Sequence, residues 1–231
     1  MIIGGFQKLT LIDYPGKLAC IVFTSGCNFR CKYCYNKVLV DPKWIKENEE
    51  IQEKEIFDFL EQRKDKLEAV VITGGEPTLH ADLKDFILKI KKMGYLVKLD
   101  SNGTNPEALE KIIDLVDYIA MDIKAPLTKE KYSEITQVDI DVEKLKKSIQ
   151  LIQNRAKDYE LRTTMEPKMT KEDILDIVKD VKGSKKYYLQ EFKTTNTLID
   201  NTYENKKGLL KEDLEDIIPL LKESFPVFDI R

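Results

Sequence analysis

Three of the four cysteines in this 231-residue chain lie close together, as Cys27, Cys31 and Cys34. Thiolates are soft ligands that bind zinc and iron–sulfur clusters. Three thiolates are one fewer than the four ligands that close a structural metal site, and a catalytic metal centre keeps one position open for a substrate. The spacing therefore favours a [4Fe–4S] cluster bound by these three cysteines, with one iron free of protein ligands.

A structural zinc site is the main alternative for the same cysteines. It would need a fourth ligand, and the candidates are Cys20 and His80, the only histidine in the chain. Cys20 lies in an apolar run, residues 18–23, where a free cysteine usually packs as a small hydrophobic side chain. The odd number of clustered cysteines also disfavours a disulfide pair.

The composition is typical of a globular protein. Hydrophobic residues make up 42% of the chain and charged residues 34%, with a net charge of −3. No segment approaches the ~20 apolar residues of a membrane span, and the charge balance lacks the basic excess of nucleic-acid-binding proteins. We expect a single domain, residues 1–231, with neither a membrane nor a nucleic acid as partner. The few cysteines and the lack of an export signal predict the cytoplasm.

Short β-rich segments alternate with amphipathic segments along the chain. The predicted strands cover residues 19–24, 69–73, 95–100, 118–123, 159–163 and 186–190. The predicted helices cover residues 52–64, 81–93, 106–116, 142–156, 171–181 and 209–223. Strict β/α alternation implies right-handed crossovers and a parallel sheet. Six such units predict an α/β fold with an open (β/α)6 partial TIM-type barrel of parallel strands, and a flat doubly wound sheet is the alternative.

Glycines and polar side chains follow every predicted strand at its carboxyl end. From the first strand to the sixth, they are the cysteine loop (residues 25–36); Gly74, Gly75 and Glu76; Asp100, Ser101 and Asn102; Asp122 and Lys124; Arg162; and Gln190 and Phe192. In parallel α/β folds, active sites form where the carboxyl ends of the strands meet. This convergence indicates an enzyme independently of the cysteine spacing.

Together these motifs resemble the radical S-adenosylmethionine (radical SAM) superfamily. The cysteine spacing, with Tyr33 before the last cysteine, is similar to its first signature, and Gly-Gly-Glu-Pro at residues 74–77 is similar to its second. Asp-Tyr-Pro-Gly at residues 13–16 and the residues around the cysteines narrow the resemblance to glycyl-radical-enzyme activating enzymes. Anaerobic ribonucleoside-triphosphate reductase activating proteins are the most similar group, followed by pyruvate formate-lyase activases. The similarity covers about residues 4–192.

The resemblance implies a radical SAM core fold, two cofactors and a reaction. The fourth iron of the cluster binds the amino and carboxylate groups of S-adenosylmethionine (SAM). An external one-electron donor such as flavodoxin or ferredoxin drives its cleavage to methionine and a 5′-deoxyadenosyl radical. That radical takes hydrogen from a glycine of a glycyl radical enzyme, here anaerobic ribonucleotide reductase. The alternatives are a pyruvate formate-lyase-type activase, a small-molecule enzyme such as 7-carboxy-7-deazaguanine synthase, and an electron-transfer or structural metal module.

The resemblance also implies cofactor contacts at the second and third strand ends. Gly74 and Gly75 carry no Cβ and let the backbone approach a ligand closely. Glu76 accepts a hydrogen bond from the ammonium group of SAM. Ser101 or Asn102 contacts its ribose or its carboxylate. For the glycines and Glu76, the alternative is an ordinary turn before a proline.

Further cofactor contacts are implied at the later strand ends. Lys124 and Arg162 face the carboxylate of SAM, which suits a bidentate guanidinium. For Arg162, the alternative is a surface guanidinium on an edge strand. Gln190 and Phe192 lie near the adenine. Pyruvate formate-lyase activases carry a histidine in this region, whereas the single histidine here, His80, follows the second strand and is expected to be a helix-entry residue.

Asp100 and Asp122 are similar to the carboxylates that hold a monovalent cation in some activases. Two acidic groups on one edge need a cation or a shared proton between them. We therefore expect a monovalent-cation site, with turn capping by Asp as the alternative.

Two long polar segments, residues 125–141 and 193–207, border the same edge of the predicted sheet. Long loops at such positions often bind a partner or close over a site. We expect them to contact the partner enzyme, and simple surface loops are the alternative.

Overall fold

The computed structural model describes residues 1–47, 49–194 and 198–231. In this part of the chain, one sheet holds eight strands that are ordered as they occur in the sequence. They are β1 (Ile3–Thr10), β2 (Ala19–Thr24), β3 (Ala69–Gly74), β4 (Leu96–Ser101), β5 (Tyr118–Asp122), β6 (Tyr159–Met165), β7 (Lys186–Glu191) and β8 (Val227–Ile230). Strand β1 pairs antiparallel with β2, and each later pair of neighbours is parallel.

The helices follow the strands and cover the outer face of the sheet. They are α1 (Lys37–Val40), α2 (Pro42–Glu47), α3 (Glu53–Gln62), α4 (Leu83–Lys92), α5 (Pro106–Ile112), α6 (Lys129–Thr136), α7 (Val142–Arg155), α8 (Lys171–Asp180) and α9 (Ile218–Ser224). Helix α4 shows why they form, since it buries Leu83, Phe86, Ile87 and Ile90 at helical spacing. Among the residues described, no helix is both long enough and apolar enough to cross a membrane.

The predicted open barrel of parallel strands is confirmed. Strands β1 and β8 are the two edges of the sheet, and no pairing in the described part of the chain joins them. The six predicted strands correspond to β2 through β7, and the largest difference is at β6, which runs two residues further. A barrel that stays open leaves one side through which a ligand can reach the inner face.

Three predictions about the elements were wrong. Strands β1 and β8 were not predicted, because β1 contains two glycines and β8 has four residues, so neither shows a clear alternation. The predicted helix 209–223 is a 3-10 turn (Lys211–Leu214) followed by α9, because Pro219 lacks an N–H and suits only the first turn of a helix. Segment 125–141 contains α6 and is not one long loop; in segment 193–207, residues 195–197 lie outside the described residues.

The two faces of the strands have different surroundings. The outer face packs against the helices and includes Cys20, which is fully buried and packs as a hydrophobic side chain, as predicted. The inner face has an apolar cluster near the beginning of the strands, formed by Ala19, Ile21, Ala69, Val71 and Tyr118 together with Tyr14 of the β1–β2 loop. Toward the carboxyl ends the same face becomes polar and charged, and this change places the candidate site there.

Candidate functional site

A cavity of about 290 Å³ lies at the carboxyl ends of the parallel strands. All but one of the site residues expected from the sequence line it, namely Cys27, Cys31, Cys34, Gly74, Gly75, Glu76, Asp100, Ser101, Asn102, Asp122, Lys124, Arg162 and Gln190. The fold therefore brings together residues that are far apart in sequence. The exception is Phe192, which is buried and stacks on Tyr35 with ring centroids 6.2 Å apart.

Hydrogen bonds within the cysteine loop fix the turn that carries the thiols. The guanidinium of Arg30 donates to the carbonyl oxygens of Cys27 and Phe29, each at 2.6 Å. The backbone N–H of Phe29 lies 3.4 Å from the Cys27 sulfur, and the N–H of Cys34 donates to the carbonyl of Cys31 at 3.0 Å. Because Arg30 braces the backbone, the three thiols face the cavity from one wall.

Cys31 is buried, and Cys27 and Cys34 are partly buried beside it. Burial raises the pKa of Cys27 to about 11 and that of Cys31 to about 12, and it also raises the pKa of Cys34. A buried thiolate is costly unless a cation compensates its charge, and bound iron supplies that charge. Three thiols that are buried or partly buried on one cavity wall therefore fit an iron–sulfur cluster.

The donor set does not fit a structural zinc ion. Across the described residues, no three His, Cys, Asp or Glu side chains converge on one metal-ion position. Zinc requires such convergence, whereas each thiolate of a [4Fe–4S] cluster binds its own iron. Of the two candidate fourth ligands, Cys20 lies on the outer face of the sheet, and a ring nitrogen of His80 lies 3.0 Å from the carbonyl oxygen of Ser25.

The loop after β3 packs directly on the cysteine loop. A Cβ on Gly75 would lie 2.0 Å from the carbonyl oxygen of Gly26, and one on Gly74 would lie 2.4 Å from that of Thr24. The N–H of Gly75 donates a hydrogen bond to the carbonyl oxygen of Thr24, and the N–H of Glu76 donates one to that of Gly26, both at 2.8 Å. We expected the glycines to admit a ligand. The structure shows that they admit the backbone of the cysteine loop and of β2, and since both glycines also line the cavity, their contact with a ligand stays a prediction.

Glu76 links the loop after β3 to the loop after β4. Its carboxylate is buried and accepts hydrogen bonds from the backbone N–H of Thr78 at 3.1 Å, from the Ser101 hydroxyl at 2.8 Å and from the Asn102 N–H at 2.6 Å. Burial raises the pKa of Glu76, while these hydrogen bonds act in the opposite direction. Glu76 thus has protein partners already, and its contact with an ammonium group of a cofactor stays a prediction.

Amide side chains complete the connection between the loops, and sequence reasoning missed this role. Asn28 of the cysteine loop accepts a hydrogen bond from Asn102 and donates one to Thr104, both at 2.8 Å. Asn36, just after the third cysteine, donates to the carbonyl of Gly74 at 3.1 Å. The position of Asn28 and Asn36 beside the cysteines could have indicated a role for them. Their hydrogen-bond partners, however, belong to other strands and loops, which spacing along the chain does not show.

The charged residues at the cavity pair with one another. The guanidinium of Arg162 lies 2.9 Å from Asp122 and 3.3 Å from Asp100. Lys124 lies 3.3 Å from Asp122, and Lys98 forms an ion pair with Asp100. Each carboxylate therefore has two protein cations, so the argument that the pair needs a metal cation fails. The donor set does not fit a bound monovalent ion. Arg162 and Lys124 already pair with protein carboxylates, and their contact with the carboxylate of a cofactor stays a prediction.

The ion pairs of Asp122 predict how stability depends on pH. Burial acts to raise the pKa of Asp122, but the charges of Arg162 and Lys124 outweigh it and lower the pKa from 3.8 to about 2. Because the folded-state pKa is the lower one, the stabilisation is complete above about pH 4 and is lost as the pH falls toward 2. Since the side chain is partly exposed, we expect a contribution of about 1–2 kcal/mol.

Urea unfolding of the wild type and of Asp122→Asn at pH 5 and pH 3 measures this contribution. The asparagine variant is less stable at pH 5 and loses less stability on acidification than the wild type. Equal losses in the two proteins would show that Asp122 is not held by these cations.

Comparisons with known proteins agree with the site. Residues 21–181 match the family model described as the radical SAM superfamily. A Methanocaldococcus jannaschii protein named "Putative glycyl-radical enzyme activating enzyme MJ1227" is 39% identical over 203 residues, which are 83% of this chain and 80% of that protein. A 7-carboxy-7-deazaguanine synthase of the same organism is 33% identical over 185 residues, 73% of this chain and 72% of the relative.

Solved structures give the same fold at low sequence identity. Streptococcus suis SuiB bound to its precursor peptide SuiA has a TM-score of 0.69 at 16% identity, covering 91% of this chain and 48% of SuiB. Methylornithine synthase has a TM-score of 0.66 at 15% identity, covering 92% of this chain and 63% of the synthase. The chain thus spans about half the length of SuiB. With its cysteine loop, its open parallel barrel and the family match over most of its length, this chain belongs to the radical SAM superfamily.

Proposed function

We propose that this radical SAM enzyme activates a glycyl radical enzyme. The observation that supports the proposal best is the convergence on one cavity of the three cysteines and the carboxyl ends of β3 to β7. The relative named as an activating enzyme adds support, since the similarity extends over four fifths of both chains. The reaction is oxidoreductive and needs an external electron donor, for which a flavodoxin or a ferredoxin is suitable.

In this proposal the cysteine loop holds the iron–sulfur cofactor and the strand ends hold SAM. Cys27, Cys31 and Cys34 are the cluster ligands. When bound, the reduced cluster supplies the electron that cleaves SAM to methionine and a 5′-deoxyadenosyl radical. Gly75 and Asn102 line the cavity, and in this proposal they lie against SAM.

The partner in this proposal is anaerobic ribonucleoside-triphosphate reductase, as the sequence resemblance implies. A second cavity of about 490 Å³ lies on the open side of the barrel and shares Tyr35, Arg162, Thr164 and Gln190 with the first. Its other lining residues include Ile12 of the β1–β2 loop and Lys193 after β7. An opening of this kind gives a glycine-bearing loop a path to the SAM cavity.

Anaerobic mixing of the two proteins tests this proposal. The reconstituted protein, SAM, a reductant and the reductase are expected to yield a glycyl electron paramagnetic resonance signal on the reductase. A reductase with its target glycine replaced by alanine is the control and gives no signal. Cleavage of SAM without a protein radical, with this reductase and with pyruvate formate-lyase alike, would contradict the activase function.

The second candidate is a small-molecule enzyme of the 7-carboxy-7-deazaguanine synthase type. The 33% identity to such a synthase over most of both chains favours it. This function predicts a modified small molecule and no protein radical, so the same experiment separates the two.

A further inference from the structure

Lys98 is a buried lysine inside the barrel. Its side chain is 2% exposed, and it lies on the inner face of β4 opposite Tyr118 of β5. Side chains two residues apart on a strand point to the same face, so Lys98 and Asp100 share the inner face. There the ammonium group of Lys98 forms an ion pair with Oδ1 of Asp100. A buried lysine is rarely found without such a partner.

The two oxygens of Asp100 have different partners. Oδ1 pairs with Lys98, and Oδ2 lies 3.3 Å from Nη2 of Arg162. On Asp122, Oδ1 lies 2.9 Å from Nε of Arg162 and Oδ2 lies 3.3 Å from Lys124. All four carboxylate oxygens of this pair therefore face a protein cation. A metal ion that bound them would have to displace at least one cation.

We propose that Lys98 is a positioning residue that acts as a built-in cation for Asp100. Its ammonium group supplies the single positive charge that the Asp100–Asp122 pair would otherwise take from a bound sodium or potassium ion. The protein then binds no monovalent metal cation at this pair. Cleavage of SAM, which rests on the proposed function, is likewise independent of sodium and potassium.

Replacing Lys98 is expected to create the cation site that the wild type lacks. In Lys98→Met the side chain keeps a similar length and loses its charge, which leaves Oδ1 of Asp100 without a cation. A partly buried carboxylate that loses its partner is strongly destabilising, so a small cation becomes a favourable replacement. The double variant Lys98→Met with Asp100→Asn removes the carboxylate as well and should bind no ion.

Thermal unfolding of the cluster-free protein tests ion binding without any catalysis. Unfolding is recorded in sodium, potassium and tetramethylammonium chloride at equal ionic strength, since general screening then stays constant. We expect equal midpoints for the wild type and for the double variant. For Lys98→Met, sodium or potassium should raise the midpoint by a few degrees over tetramethylammonium.

The control is Lys186→Met, because Lys186 lies on a strand of the same sheet, is partly buried and pairs with Asp158 at 2.7 Å, away from the cavity. It should show no ion preference. If the wild type is stabilised specifically by sodium or potassium, the proposal is wrong, and this measurement needs no variant. The proposal is equally wrong if folded Lys98→Met shows no ion preference.

Cleavage of SAM by the reconstituted protein gives the second readout. Replacing sodium and potassium by tetramethylammonium should leave the wild-type rate unchanged. It should slow Lys98→Met by roughly tenfold or more, and either metal ion should restore the rate. If the wild type cleaves no SAM in any salt, the proposed function fails, while the unfolding data still decide the role of Lys98.

Discussion

Replacing Cys27, Cys31 or Cys34 with alanine is expected to abolish reductive cleavage of SAM. Each variant leaves two thiols at the cavity, too few for a stable cluster with one open iron. The three residues lie on one braced loop, and no other cysteine or histidine of the described chain lines the cavity. Iron and sulfide content and 5′-deoxyadenosine formation after anaerobic reconstitution measure the effect.

Cys20→Ala is the matched control for these variants. Cys20 is fully buried on the outer face of the sheet, so its replacement should cost about 1 kcal/mol of stability. Cluster content and cleavage should remain at wild-type levels. Loss of the cluster in this variant, or a fully loaded and active cluster after loss of any one of the other three cysteines, would contradict the three-thiolate assignment.

Gly75→Ala is expected to separate the loop after β3 from the cysteine loop. The new Cβ would lie 2.0 Å from the carbonyl oxygen of Gly26, a backbone atom that cannot swing away as a flexible side chain does. Overpacking of this kind costs about 3 kcal/mol or more. Because the same movement breaks the hydrogen bond from Glu76 N–H to Gly26, we expect cluster incorporation to fall sharply. Urea unfolding and iron content after reconstitution measure the two effects.

Gly94→Ala separates this steric effect from the general cost of losing a glycine. Gly94 follows α4 with a positive φ of 93°, and nothing lies within 4 Å of a Cβ at that position. The expected cost is about 1–2 kcal/mol of backbone strain, with normal cluster content. If both variants lose stability equally and keep the cluster, the contact between the two loops is not what positions the cysteines.

Which residues meet at the site could be predicted, because the carboxyl ends of the β-rich segments can be recognised in the sequence. Each site segment directly follows a β-rich run, and the carboxyl ends of parallel strands meet at one edge. For that reason the cavity is lined by the cysteine loop, by Gly74 to Glu76 and by Asp100 to Asn102. Strands β1 and β8 could not be predicted in this way, since two glycines obscure the alternation in β1 and β8 has only four residues.

The partners of those residues could not be predicted, because they lie on other strands. Glu76 accepts from Asn102, Gly75 contacts Gly26, and Arg162 pairs with carboxylates on two other strands. Spacing along the chain does not show such contacts. Nor does it show the ion pairs of Asp100 and Asp122 with Lys98, Lys124 and Arg162, on which the lack of fit for a metal cation rests.

The most direct test of the account is whether SAM binds the open iron of a three-cysteine cluster. The reduced, reconstituted protein is mixed with SAM carrying 15N in its amino group and 17O in its carboxylate, and the cluster's paramagnetic spectrum is recorded. We expect hyperfine coupling to both labels, and loss of the signal in the Cys31→Ala variant. A fully formed cluster whose spectrum shows no coupling to either label would contradict it.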